Sequence, residues 1–283
     1  MAMNRRVFLG TGAAAAATLL VDRARATPLG LPLGVQLYSV RTMLPKDYPG
    51  TLRQIAALGY REVEAAGFYD HSADDVTAAM KSAGLRCVSA HYPLSTLKPQ
   101  LDSILPFCKS VGVGFVVCSS PMHEKEGSGK EALTLDDWRW NADQFNQIAA
   151  KVEAAGMRFA YHNHVGEFGA IDGILPYDQL LKLTDPAKVS FEMDCGWVEV
   201  AGQDPVHYLK QYADRIVMLH VKDFIDKKPP SVVLGTGSID YAPIFAAAKG
   251  ARIQHIFVEQ EESQGPMMDA LAADARFMQH IPG

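Results

Sequence analysis

The chain has 283 residues, 48% of them hydrophobic and 21% charged, with a formal net charge of −5. That composition is globular and long enough to bury a large core, and barrels of alternating strands and helices at about 250 residues form one domain. The acidic balance excludes a nucleic-acid surface, which carries a basic excess, and no run of like charges is long enough for a binding tail.

The N-terminus reads as an address. Asn4-Arg5-Arg6-Val7-Phe8-Leu9 pairs two arginines with apolar residues, Gly10 to Val21 is a mild Ala-rich apolar stretch, and Ala24-Arg25-Ala26 is a small-x-small cleavage site. Basic, apolar and small segments in that order make an export peptide, and the paired arginines resemble a twin-arginine signal. The apolar part is too short for a membrane span. Residues 1–26 are therefore expected to be a signal peptide, residues 27–283 a single domain, and the protein periplasmic or secreted. No cysteine follows the apolar stretch to carry a lipid.

Short apolar runs then alternate with helix-like segments. Strands are expected at Leu33–Tyr38, Glu62–Ala65, Arg86–Ser89, Phe115–Cys118, Arg158–Tyr161, Val189–Met193, Ile216–Leu219 and Ile253–Val258. Helices are expected at Thr51–Leu58, Ser72–Ala83, Leu101–Val111, Asp136–Ala155, Tyr177–Leu183, Pro205–Tyr212, Tyr241–Ala248 and Met267–His280, with Ser72 and Asp136 as N-caps. Gly59, Gly84, Gly112 and Gly156 each end a helix and lead into a strand, as a positive-φ C-cap requires. Repeated strand–helix units of this kind imply a parallel sheet, and eight of them imply a closed (β/α)8 TIM barrel. A doubly wound open sheet would show a Gly-rich turn after its first strand; here that turn is Tyr38-Ser39-Val40-Arg41. The four cysteines, Cys87, Cys108, Cys118 and Cys195, form no Cys-x-x-Cys pair, so a zinc-thiolate site is not indicated. Cys87 and Cys118 lie in apolar runs and read as buried thiols.

In such barrels the active site lies at the C-terminal ends of the strands. There the first strand offers Gln36 and Tyr38, the second Glu62 and Glu64, and the third His91. The fifth ends in His162-Asn163-His164 with Glu167 beyond, the sixth in Glu192-Met193-Asp194, the seventh in His220 and Lys222, and the eighth in Glu259. Acids and imidazoles collect at the last four strands. Carboxylate with imidazole suits one divalent ion (Mn, Co, Fe, Zn or Mg), which can polarise a carbonyl while nearby acids move protons beside it.

These pieces resemble the sugar phosphate isomerase/epimerase superfamily, the xylose isomerase-like TIM barrels. The resemblance is carried by Gly34-Val35-Gln36-Leu37-Tyr38-Ser39, Tyr60-Arg61-Glu62-Val63-Glu64, Ser89-Ala90-His91, Asp194-Cys195-Gly196-Trp197, His220-Val221-Lys222-Asp223, Leu234-Gly235-Thr236-Gly237 and Phe257-Val258-Glu259. It implies a metal held by a Glu, an Asp, a His and a Glu from the fifth to eighth strands. Asp194, His220 and Glu259 match that pattern; the fifth strand departs from it, with His162-Asn163 where many members have Glu-Asn. Either His162 replaces the carboxylate or Glu167 folds back to supply it. Glu167 is favoured because a second acid keeps the site's charge near that of the family, leaving His162 and His164 for substrate and proton transfer. Gln36, Tyr38, Glu64, His91, Trp197 and Lys222 are then candidate substrate-binding groups. Gly235-Thr236-Gly237 lacks the lysine of a phosphate loop and reads as a turn at the rim.

The resemblance implies a metal-dependent sugar isomerase or epimerase working through an enediolate, with Glu259 and one of His162, His164 or Glu167 moving the proton. The His-Asn-His strand end also resembles members acting on 3-keto sugars or glycosides, where the same proton removal ends in β-elimination. A third expectation is a sugar-binding barrel without turnover. DNA-repair endonucleases share the superfamily, but the acidic balance and export signal argue against them. The expected partner is a small sugar or glycoside rather than nucleic acid or a membrane span, and self-association is compatible with the sequence.

Overall fold

The computed structural model describes residues 27–125 and 132–281, so the expected export peptide lies outside the described residues. Strands β1 (Gly34–Gln36), β2 (Glu62–Ala65), β3 (Arg86–Pro93), β4 (Phe115–Ser120), β5 (Arg158–His162), β6 (Val189–Asp194) and β7 (Ile216–Val221) run parallel. A short antiparallel hairpin, β8 (Asp223–Ile225) with β9 (Lys228–Val232), follows at the mouth. The last strand, β10 (His255–Val258), pairs with both β7 and β1 and closes the eight-stranded barrel. This is the expected TIM barrel, and barrel strands consecutive in the chain are joined through helical crossovers.

Side chains alternate sides along a strand, and the sequence uses the two sides differently. The outward set, including Val35, Val63, Val116, Phe159, Tyr161, Phe191, Leu219 and Ile256, packs with the helices into one continuous apolar core. Each such side chain contributes about 1.5–3 kcal/mol when fully buried. The inward set starts apolar, with Phe115, Val117, Ala160, Met218 and Phe257 filling the middle of the barrel. Above this plug the inward positions turn polar, and the site begins there.

The helices are α1 (Tyr48–Ala57), α2 (Ala73–Ala83), α3 (Leu94–Val111), α4 (Leu135–Ala154), α5 (Pro176–Leu183), α6 (Cys195–Val200), α7 (Pro205–Gln211), α8 (Tyr241–Ala248) and α9 (Met267–His280). Ser72 caps α2 as expected, its side chain accepting from the Asp75 N–H. The expected Asp136 cap is replaced by Thr134, which forms a capping box with Asp137 and so starts α4 one residue earlier than Asp136. Helix α3 begins seven residues before the expected start and runs through Pro99 and Pro106. Gly59, Gly84, Gly112 and Gly156 all have positive φ, between 70° and 105°, which turns the chain from helix back to strand. All four cysteines are free and buried. Among the described residues no helix is long and apolar enough to cross a membrane.

One buried acid stands apart from the site. Asp274 on α9 is fully buried; its Oδ1 accepts the Leu234 N–H at 2.8 Å, while Oδ2 has no partner. Burial, reinforced by Asp223, pushes this carboxyl up to about 7. The unfolded group titrates near pH 4. The folded state thus binds an extra proton between those values, and Asp274 costs stability as the pH rises through that window. Asp274→Asn keeps an oxygen for Leu234. It is expected to raise the thermal midpoint more at pH 8 than at pH 5; an equal effect at both would show that Asp274 ionises normally.

Candidate active site

The polar interior has a lower and an upper tier because inward positions two residues apart on one strand differ in depth by about 6–7 Å. On β6, Glu192 belongs to the lower tier and Asp194 to the upper; on β7, His220 stands above Met218, and Lys222 follows one residue past the strand's end. The lower tier is built on Glu64, whose side chain is fully buried. Its carboxylate accepts from Gln36 Nε2 at 2.8 Å and from the Ser89 hydroxyl. His220 Nε2 lies 2.7 Å from its Oε1, and His91 Nε2 2.8 Å from the same oxygen. His91 Nε2 also lies 2.7 Å from Glu192 Oε2, so this imidazole clamps two carboxylates together. His162 Nδ1 reaches the same Glu192 oxygen at 3.1 Å.

The electrostatics follow from that packing. Burial works against the charged form of His91, but Glu64 and Glu192 raise it to about 9. The imidazoles in turn hold Glu64 well below the usual carboxylate range and Glu192 down to about 2, although burial pushes both the other way. His162, buried among other imidazoles, is pushed well down and stays neutral.

The upper tier faces the mouth. Asp194 ends β6 and caps α6, its Oδ1 accepting the Trp197 N–H at 2.8 Å. Glu259 Oε2 lies 3.2 Å from His220 Nδ1 and 2.8 Å from Lys222 Nζ. The Lys222 ammonium, itself without exposed surface, also lies 3.1 Å from Asp194 Oδ2, pairs with Glu261, and sits 4.9 Å over the Trp197 ring. Burial would raise Glu259; Lys222 and His220 hold it well below its ordinary value instead. His164 stands at the rim, 4.8 Å from the His162 ring and 6.2 Å from Trp197, and burial lowers it, so it is a neutral imidazole at neutral pH.

His162, Asp194, His220 and Glu259 each bring one donor atom to within 4.8 Å of the others. The expected alternative, Glu167, does not join them. The short 3-10 turn Gly166–Phe168 carries it to the outer side of β5, where its Oε1 accepts from the Tyr161 hydroxyl at 2.5 Å among apolar residues. The fifth-strand donor that reaches the group is His162. Gln36 and Glu64, expected to bind substrate, lie beneath the mouth at 1% and 0% exposure and are already hydrogen-bonded. Lys222 is likewise fully engaged, and His91 sits in the lower tier. Tyr38, 43% exposed, and Trp197 remain at the rim. Glu192, which the sequence offers only as part of the sixth strand's end, shares the inward face of β6 with Asp194, and Glu261 joins the site through Lys222. Gly235 and Gly237 donate their N–H groups to Asp223 Oδ2 at 3.0 Å each, so that stretch is a rim turn wrapped on a carboxylate.

The residues fit a divalent cation. Of the site's carboxylates, Asp194, Glu259 and Glu261 share one ammonium, Lys222, while Glu64 and Glu192 lie against the imidazoles, and Asp194 Oδ2 makes no hydrogen bond of ordinary geometry despite its closeness to Lys222. Mixed carboxylate and imidazole donors suit Zn, Mn, Fe or Co. Lys222 offsets part of the remaining negative charge. Breaking one side of such a buried pair costs about 3–5 kcal/mol. Lys222→Met is therefore expected to lower metal-free stability by that amount, with a larger zinc-induced rise in thermal midpoint than in the wild type. An unchanged metal-free midpoint would show that the three carboxylates do not depend on the ammonium.

A family model for the xylose isomerase-like TIM barrel matches residues 52–281. An inosose dehydratase from Clostridium perfringens is 25% identical over 243 residues, covering 75% of this chain and 81% of that protein. A sugar phosphate isomerase/epimerase from Parabacteroides distasonis superposes with a TM-score of 0.74 at 27% identity, covering 95% of this chain and 99% of that one. A structure described as IOLI protein with a bound zinc atom shares the fold, with a TM-score of 0.68 at 15% identity, covering 87% of this chain and 96% of that one.

Proposed function

This chain belongs to the xylose isomerase-like TIM-barrel family, and within it we propose that it is a metal-dependent lyase acting on a keto-sugar, a keto-glycoside or a related cyclic ketone. The observation that carries this reading is the convergence of His162, Asp194, His220 and Glu259 at the strand ends, beside a neutral rim imidazole. The curated relatives support elimination over rearrangement, since their name describes loss of water from inosose.

His162, Asp194, His220 and Glu259 would hold one divalent ion. When bound, it supplies positive charge that polarises the substrate ketone and favours loss of the neighbouring proton. His164 takes that proton from the carbon beside the ketone. The C–H electron pair first moves toward the carbonyl, then returns to form a carbon–carbon double bond as the neighbouring C–O bond breaks. His164 hands its proton to the departing oxygen, so water or an alcohol leaves and the imidazole ends as it began. Lys222 holds Glu259 and Asp194 in place through its ion pairs, and Trp197 and Tyr38 wall the mouth.

A second reading, isomerase or epimerase, is favoured by the breadth of the match to the Parabacteroides distasonis structure. It differs only in returning the proton to carbon. Product analysis separates them. Incubation with inosose and with 3-keto-glycosides, with zinc, manganese or cobalt, is expected to give an unsaturated product lighter by water or the aglycone. A product of unchanged mass supports the second reading, and no product from any such ketone sinks both. Asp194→Ala is expected to lose both metal and turnover. His164→Ala should keep its metal and lose about 10²–10⁴-fold in rate; full activity there removes His164 from the proton path.

Export through a twin-arginine signal is part of the proposal, because residues 1–26 carry its order of segments. The expected mature N-terminus is Thr27. Recovery of the intact chain from the cytoplasm alone would overturn it.

A further inference from the structure

His220 stands between two pairs of carboxylates, one on each ring nitrogen. Nε2 lies 2.7 Å from Glu64 Oε1 and 3.3 Å from Glu192 Oε2. Nδ1 lies 3.2 Å from Glu259 Oε2 and 3.9 Å from Asp194 Oδ2. His162 repeats the arrangement: its Nδ1 lies 3.1 Å from Glu192 Oε2, while the same ring joins the Asp194–Glu259 group. His220 thus has one nitrogen in each tier, and His162 has its Nδ1 in the lower one. A neutral imidazole donates from one nitrogen and offers a lone pair at the other, so whichever carboxylate takes the N–H decides which nitrogen can bind a cation.

The lower carboxylates are the better fixed. Both Glu64 oxygens are occupied, Oε1 by Gln36 Nε2 and the imidazoles, Oε2 by the Ser89 hydroxyl. His91 ties Glu64 to Glu192. Two donor groups are geometrically open to a cation: His91, His162, Glu192 and His220 below, and His162, Asp194, His220 and Glu259 above. The lower one has an oxygen without a hydrogen bond, Glu192 Oε1, as the upper one has Asp194 Oδ2. Filling the lower group, however, would take His91 from both carboxylates and His220 Nε2 from Glu64. Filling the upper group leaves every lower contact intact.

We propose that Glu64 and Glu192 are positioning residues for the metal centre: they hold His220 by Nε2 and His162 by Nδ1, and so present His220 Nδ1 and His162 Nε2 to a single cation beside Asp194 and Glu259. This rests on the metal-dependent reading above. Glu64 acts from beneath, touching neither cation nor substrate. Removing such a supporting partner weakens metal binding about 10–100-fold while the ligands themselves remain.

The test uses the full chain, stripped with a chelator and titrated with zinc against a chromophoric competitor. The wild type is expected to bind one zinc, and Glu64→Gln to bind it 10–100-fold more weakly. Glu62→Gln is the control, equally buried on the same strand two residues lower, where it pairs with Arg86 and His255; its zinc affinity should stay within about twofold of the wild type. Long-range ¹⁵N correlation spectra of the zinc-loaded wild type should show His220 with its proton on Nε2, a readout that stands even where Glu64→Gln fails to fold. Unchanged affinity in Glu64→Gln, an equal loss in Glu62→Gln, two zinc ions per chain, or a proton on His220 Nδ1 would each overturn the inference. A wild type that binds no zinc, manganese or cobalt overturns the metal reading itself, a result distinct from all of these.

Discussion

The structure depends on one constraint: charge placed inside a barrel must be paired there. An isolated carboxylate in such surroundings is prohibitively unstable. The lower tier meets the constraint by threading His91 between Glu64 and Glu192 and by closing the remaining oxygen of Glu64 with Ser89. The upper tier meets it with Lys222, which reaches Asp194, Glu259 and Glu261 at once. The apolar shell outside the strands supplies the stability that such an interior withdraws, and the apolar plug below keeps the charges toward the mouth.

Two tiers divide the work. In the lower one each imidazole ring is committed to a carboxylate, and only Glu192 Oε1 is left without a hydrogen bond. The upper one retains an oxygen with no hydrogen bond and a rim imidazole that burial keeps neutral. A site that binds a cation and moves protons needs both: rigid support, so that donors converge without rearrangement, and a few groups left uncommitted.

Much of the barrel was legible in the sequence because its signals are local. Apolar runs of four to six residues, separated by helix-length segments and punctuated by Gly59, Gly84, Gly112 and Gly156, specify the strand–helix repeat. What escaped was equally local in cause. Thr134 rather than Asp136 caps α4 because the reciprocal bond with Asp137 is available only from that position. Helix α3 starts early despite its prolines. At the site, strand-end position named Glu192, Asp194, His220 and Glu259, the family resemblance singled out the last three, and period-two alternation puts Glu192 on the same face as Asp194. The choice between His162 and Glu167 was not legible. It depends on a 3-10 turn that sends Glu167 to the Tyr161 hydroxyl, an outward-facing partner whose nearness only the folded chain reveals. Depth was also hidden: nothing in the linear pattern says that Glu64 lies beneath the mouth rather than at it.

Asp223 has a consequence for how the rim can vary. Its carboxylate accepts the N–H groups of Phe224, Gly235, Gly237 and Ile239, so both ends of the excursion between β7 and α8 are stapled to one side chain. Between those ends Ser231 on β9 accepts the Glu261 N–H and a Gln260 Nε2–H, so the hairpin is also tied to the segment after β10 that carries Glu261, a partner of Lys222. Doubling the length of a flexible loop costs only about 0.6 kcal/mol in closure entropy. Changes of length are therefore cheapest at the turn between β8 and β9, away from the Asp223 staple and from Ser231.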